Sequence, residues 1–278
     1  MKTQAFSRKN GGAALRSNTG LTIETIQHRC PSVFAENKHA SRSGRYTYIP
    51  TSQILEGLIR EGFTPVEVLQ GGSRIEEKRG FTKHRIRMRH VSDLEQTSRD
   101  VRYREVILIN SHDGTTSYHM MAGVFRMVCA NGHIIAEDGA TEIRVSHTGD
   151  ILSNVIDGCI EVVKDFPRVE DTVRRMEGVQ LTRDQQLALA EQALAIRYGS
   201  APPIKPQAAL AVWRPHDQEP TLWNTMNVLQ ENLINGGIGY IRQTEHRRSF
   251  LRTKAVNGID QNTKVNRGIW AAAQSLLN

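Results

Sequence analysis

"FTKHRIRMRH", residues 81–90, is the stretch on which the reading of this chain turns. Taken two apart, it puts Lys83, Arg85, Arg87 and Arg89 on one side and His84, Ile86, Met88 and His90 on the other. A period of two is the mark of a β-strand, whose successive side chains point to opposite faces. No carboxylate stands between Lys78 and Ser92 to neutralise the row. Spaced about 7 Å apart along a strand, such cations match the phosphates of one nucleic-acid strand. A solvated face that blunts a sheet edge is the plainer alternative. Two features favour the phosphate reading. Only Ile86 and Met88 stand between the two histidines of the other side, so the strand offers little core. Arginine also outnumbers lysine in the row, and its planar fork is the better phosphate ligand. Arg74, Lys78 and Arg79 in the adjoining loop extend the same surface.

The flanking segments place this strand in an α+β fold. Upstream, Pro50 and Thr51 introduce a helix with Ile54, Leu55, Leu58 and Ile59 on one face; Gly62 ends it and Phe63 to Leu69 resumes as a strand. "QGGSRIEEKRG", residues 70–80, reads as a polar hairpin loop, and Val106 to Asn110 and a segment within Tyr118 to Ala136 supply further strands. The expectation is a helix followed by an antiparallel β-meander over residues 29–148. A mainly helical C-terminal half is expected over residues 149–278. Ile151, Val155, Ile156, Ile160 and Val163 share one helical stripe there, and Leu187, Ala190, Leu194 and Arg197 share another. "SAPPIKP", residues 200–206, is the best linker signal, and Leu222, Met226, Leu229 and Leu233 mark a helix closed by Gly236 and Gly237. Residues 1–28 read as a flexible basic arm, since the first twenty hold Lys2, Arg8, Lys9 and Arg16 and no acid. Residues 238–262 read as a mobile basic loop, in which the 242–254 cluster, with Arg247 and Arg248, forms an auxiliary clamp.

Charge points the same way. Over 278 residues, 36 Lys and Arg exceed 29 Asp and Glu to give a net charge of +7. The isoelectric point near 9.5 suits a polyanionic partner. Apolar runs fall far short of the ~20 residues that cross a bilayer. The N-terminus lacks the apolar block of a signal peptide, so a cytoplasmic protein without membrane partners is expected. Cys30, Cys129 and Cys159 are odd in number and form no CxxC pair, which argues against a disulfide framework or a thiolate zinc site. No cofactor is expected.

Signals for catalysis are weaker. His112, Asp113, His119 and His133 contain the elements of a metal or acid–base site, but Asp113-Gly114 at a strand end is first a turn signal. Cys129 in an apolar strand reads as a small buried hydrophobe, and Arg126 there calls for an anionic partner. Tyr46 and Tyr48 alternate with Arg45 in a half-buried extended piece. Trp213, Trp223 and Trp270 read as helix-packing residues. There is no GK[ST] phosphate loop, HExxH or GxSxG pattern.

Four strings then become familiar: "PSVFAENKHASRSGRYTYIPT" (31–51), "INSHDGTTSYHMMAGVFRMVCANG" (109–132), "EIRVSHTGDI" (142–151) and "GIDQNTKVNRGIW" (258–270). They resemble the prophage- and plasmid-borne family of unknown function that includes YfjQ and YafZ. The resemblance runs from about Pro31 to the C-terminus; it implies a DNA-handling or counter-defence setting and carries over no catalytic residues. The expected arrangement is similar in outline to the single-strand annealing proteins of the Red-beta and RecT kind, which assemble into homo-oligomeric rings or filaments around a basic groove. The expectation is a non-enzymatic protein binding single-stranded DNA in recombination. Lys83, Arg85, Arg87 and Arg89 would hold phosphates, with Arg74, Lys78, Arg79, Arg247 and Arg248 assisting. A counter-defence factor with a protein partner, and a metal-dependent nuclease or hydrolase using His112, Asp113 and His119, are the rivals.

Overall fold

The computed structural model describes residues 14–43, 46–94, 102–126, 131–134, 142–145, 158, 161–245 and 247–277. The chain divides into two compact units. The first takes residues 1–132, 138–166 and 257–259; the second takes 133–137, 167–256 and 260–278.

The first unit is built on an antiparallel meander. Strands β1 (Leu15–Arg16), β2 (Phe63–Gln70), β3 (His84–His90), β4 (Arg102–Asn110) and β5 (Tyr118–Arg126) pair in sequence order. Farther along the chain come β6 (Asn131–Ile134) and β7 (Glu142–Val145), and β7 pairs with β5. The β2–β3 register slips between Pro65 and Glu67, where proline has no N–H for the ladder. Helix α1 (Ile23–Arg29) starts on Thr22, whose side chain accepts from the Thr25 amide; α2 (Thr51–Arg60) follows Pro50 and buries Ile54, Leu55 and Leu58. Thr51 Oγ1 lies 3.0 Å from His84 Nε2 and takes the Asn110 Nδ2 proton at 2.9 Å. The start of α2 therefore sits on the face of the sheet that carries Ile86 and Met88. The short helix α3 (Val91–Leu94) leaves the end of β3.

This is the α+β meander with a preceding helix that the alternation and the apolar stripe predict. Of the arm expected over residues 1–28, the part that is described is built into the fold. Leu15 and Arg16 pair with Val68 and Glu67, and α1 follows. Most of the helix expected to carry Ile151 to Val163 lies outside the described residues.

The helical half consists of α4 (Phe166–Gly178), α5 (Arg183–Tyr198), the short α6 (Pro206–Ala209), α7 (Leu222–Asn235) and α8 (Ile259–Gln274). A capping box between Thr182 and Gln185 opens α5, and Thr221 caps α7. The 200–206 segment is no linker between the units, because it lies inside the second and buries Ile204. The mobile loop expected over 238–262 is replaced by a hairpin of β8 (Gly239–Gln243) and β9 (Arg248–Arg252), and α8 begins at Ile259. Charge density hid the strand pair.

Gly236 caps α7 at φ 66° and ψ −150°, a region open essentially only to glycine. A β-carbon there would stand 2.7 Å from the Thr253 carbonyl oxygen and the Lys254 carbonyl carbon of the returning chain. Gly199, capping α5 at φ 73° and ψ −142°, has nothing within 4 Å of the same position. Gly199→Ala should therefore lose only the conformational term, about 1–3 kcal/mol. Gly236→Ala should lose more in a urea melt, because backbone must also move; equal losses would contradict the close approach.

Candidate nucleic-acid interface

The alternation of residues 84–90 is real, but the arginine face points inward. Arg85, Arg87 and Arg89 are each 2% exposed. Two glutamates from the neighbouring strands meet them. Glu105 accepts from Arg89 Nε at 2.7 Å and, through its other oxygen, from Arg87 Nε. Glu67 accepts from Arg85 Nη2 at 2.7 Å and from Arg16 Nε at 2.5 Å. The Arg89 guanidinium also lies 4.2 Å from the Tyr103 ring centroid. Burial works against ionisation of Glu67, yet the Arg16, Arg85 and Arg87 charges outweigh it and hold the carboxyl well below its usual range. The assignment of Arg85, Arg87 and Arg89 as outward phosphate ligands is thus corrected: they are the cationic half of a buried ionic layer. Lys83 precedes β3 and is half-buried. Arg74 and Arg79 are exposed and Lys78 half-buried in the loop before it, with Arg79 beside Glu76 at 3.3 Å.

The opposite face holds a buried polar chain. Ser32 Oγ meets His84 Nδ1 at 2.9 Å, and Thr51 Oγ1 links His84 Nε2 to His112 Nε2, at 3.0 and 3.4 Å. His84, His112, Ser32 and Thr51 are all buried. Burial, and then the second imidazole, push the His84 pKa down to about 3, so the ring stays neutral. Burial also raises the nearby Cys30 thiol to about 12, which keeps that thiol protonated.

The structure separates the proposed hydrolytic trio. His112 turns to Thr51, Asp113 Oδ1 accepts from the Thr115 amide and hydroxyl, and His119 Nε2 faces Ser117 Oγ at 2.7 Å. Gly114, at φ 74°, completes the turn that the Asp-Gly pair predicts. Among the described residues no group of three or more His, Cys, Asp or Glu is placed to hold a metal ion. Tyr46 and Tyr48 donate to the Ser111 and Ala35 carbonyls. Cys129 and the His133 side chain lie outside what is described, and Arg126 is buried.

Exposed cations gather instead on the β8–β9 hairpin. The segment 239–254 carries Arg242, Arg247, Arg248, Arg252 and Lys254 against a single acid, Glu245. All five cations are exposed, and among the described residues none pairs with a carboxylate. The register sets Ile241 opposite Phe250 and Gln243 opposite Arg248, so one face of the ribbon presents Ile241, Gln243, Arg248, Phe250 and Arg252. That face is open throughout: Phe250 is 67% and Ile241 53% exposed. A β-carbon on Gly239 would stand 2.6 Å from Phe250 Cζ, so this ring packs over a glycine that leaves it room. The Thr244–Arg247 turn closes the tip, and the Gly237 amide, bonded to the Thr253 carbonyl at 2.8 Å, ties the base to the end of α7.

Trp213 is the residue that the sequence placed least well. It stands 68% exposed beside exposed Val212, whereas Trp223 and Trp270 are buried. Its indole N–H donates to Asn232 Oδ1 at 2.8 Å. Asn232 Nδ2 in turn donates to the Ala209 and Ala211 carbonyls at 2.7 and 2.9 Å. One step away, Arg214 forks onto Glu231.

The family described as "Domain of unknown function (DUF932)" matches residues 38–270. The chain belongs to the DUF932 family. The match takes in the buried ionic layer, Trp213 and the hairpin together. The UPF0380 protein YafZ of Escherichia coli (strain K12) is 42% identical over 276 residues, covering 99% of this chain and 98% of the relative. The UPF0380 protein YfjQ of the same organism is likewise 42% identical, with the same coverage. The resemblance read from the four sequence strings is thus shown. No solved structure matches the chain. Among the described residues no helix is long and apolar enough to cross a membrane.

Proposed function

We propose that this protein binds nucleic acid, with single-stranded DNA as the substrate and strand handling or annealing in recombination as the role. The β8–β9 hairpin is its principal contact. The observation that carries this reading is the exposed face of that hairpin, where cations without carboxylate partners flank an aromatic ring. Guanidinium groups bind phosphates irrespective of sequence, and an exposed ring offers a π-face to any base. Arg74, Lys78 and Arg79 supply a secondary basic patch in the first unit. Binding of labelled oligonucleotides across a salt series tests it. Arg248→Ala/Arg252→Ala removes the two cations of that face, which should flatten the slope of log affinity against log salt by about 1.4 units. An unchanged slope would rule the hairpin out as the phosphate contact.

A further inference from the structure

We infer that Trp213 is a stacking platform for an unpaired base of the bound strand, an inference that rests on the nucleic-acid reading of the hairpin. An indole exposes a large apolar surface to water, and burial is the usual remedy. Here the ring is held out instead. Asn232, itself 3% exposed, spends its oxygen on the indole N–H and both amide protons on the carbonyls of Ala209 and Ala211 just upstream. Arg214, next in the chain, is clamped by Glu231, the residue before Asn232 on the same helix. Two successive positions of α7 thus fix two successive residues of the loop. A ring fixed in advance loses little conformational entropy on binding, which is what a recognition aromatic requires.

The same end of α7 also anchors the hairpin. The Val256 amide donates to the Ile234 carbonyl at 2.8 Å, and Arg252 Nη1 donates to the Gly237 carbonyl at 2.9 Å. Asn232, Ile234 and Gly237 lie within five residues of one another, so one helix end supports Trp213 and the hairpin that displays Phe250. Aromatic faces beside a row of cations suit a flexible strand with unstacked bases; a duplex hides its base faces in its own stack.

Intrinsic fluorescence reports on stacking at this residue, because the other two tryptophans, Trp223 and Trp270, also emit but are buried out of reach of a base. The full-length protein is titrated with an oligothymidylate, with a duplex of equal length and with inorganic polyphosphate, while anisotropy of labelled oligothymidylate follows binding separately. Quenching by oligothymidylate, and by neither of the others, is the expected result. Trp213→Ala should weaken oligothymidylate binding on the order of tenfold, and Trp213→Phe should retain most of it because the ring face survives. Binding by anisotropy with unchanged emission and unaltered Trp213→Ala affinity overturns the inference and leaves the hairpin reading standing. Equal weakening in Trp213→Ala and Trp213→Phe also overturns it, since the pinned loop and not the ring would then matter. Absence of any binding at low salt overturns the hairpin reading, and the inference falls with it.

Discussion

Glu105→Ala should leave little folded protein. This carboxylate accepts from both Arg87 and Arg89, and all three side chains are buried. Removing one partner of a buried ion pair typically costs about 3–5 kcal/mol, because the surviving charge is left in a medium that solvates it poorly. Here one truncation takes a carboxylate acceptor from two guanidinium groups at once. Total stabilities run to about 5–15 kcal/mol, so a loss at the upper end consumes most of a typical one. Glu105→Gln keeps the volume and an acceptor oxygen and should fall between wild type and alanine in urea midpoint. By contrast, Glu76→Ala, which removes the exposed partner of Arg79, should shift the midpoint little. A Glu105→Ala protein as stable as wild type would contradict the buried layer.

Acidification should destabilise the protein well above the pH at which ordinary carboxylates protonate. Held near 3 by burial against its ordinary 6.5, His84 stays neutral in the fold, whereas the unfolded chain takes up a proton below about 6.5. The folded pKa is the lower one, so the stabilisation is complete above 6.5 and drains away as pH falls toward 3. The slope approaches about 1.4 kcal/mol per pH unit once the unfolded imidazole is mostly protonated, and the step from 6.5 to 4.5 should remove about 2 kcal/mol. Glu67 steepens the fall below its ordinary 4.5, because its folded pKa is also depressed and its bonds to Arg16 and Arg85 require the ionised form. Urea midpoints between pH 7.5 and 4 measure the slope. His84→Gln, which can still bond Ser32 or Thr51 but does not titrate, should flatten it between 6.5 and 4.5. A flat wild-type profile in that window would contradict a neutral buried His84.

The meander and its leading helix were legible because period-two and period-3.6 patterns are local. Which face of β3 meets solvent was not, since the answer lies in other strands. Glu67 within "PVEVLQ" and Glu105 within "REVILIN" are the lone acids of their strands, and each reaches the arginine row across one strand pairing. A window of fifteen residues around the row contains neither. Two solitary inward acids flanking a strand with inward cations were the available signal for a buried layer. The Asp113-Gly114 turn was legible because turn chemistry is set by adjacent residues. The β8–β9 hairpin was missed because neither "GYIRQ" nor "RSFLR" alternates apolar with polar residues, and charge density argued for a loop. Trp213 was beyond sequence reasoning, because its exposure depends on an asparagine nineteen residues away that holds the ring from below.

The proposed polyanion contact lies on the second unit and not on the arginine row of β3. Photo-crosslinking to a single-stranded oligonucleotide carrying 5-iodouracil, followed by peptide mapping, tests this directly. Crosslinks on Trp213 and within residues 239–252 are predicted. Crosslinks confined to residues 74–89 would contradict it.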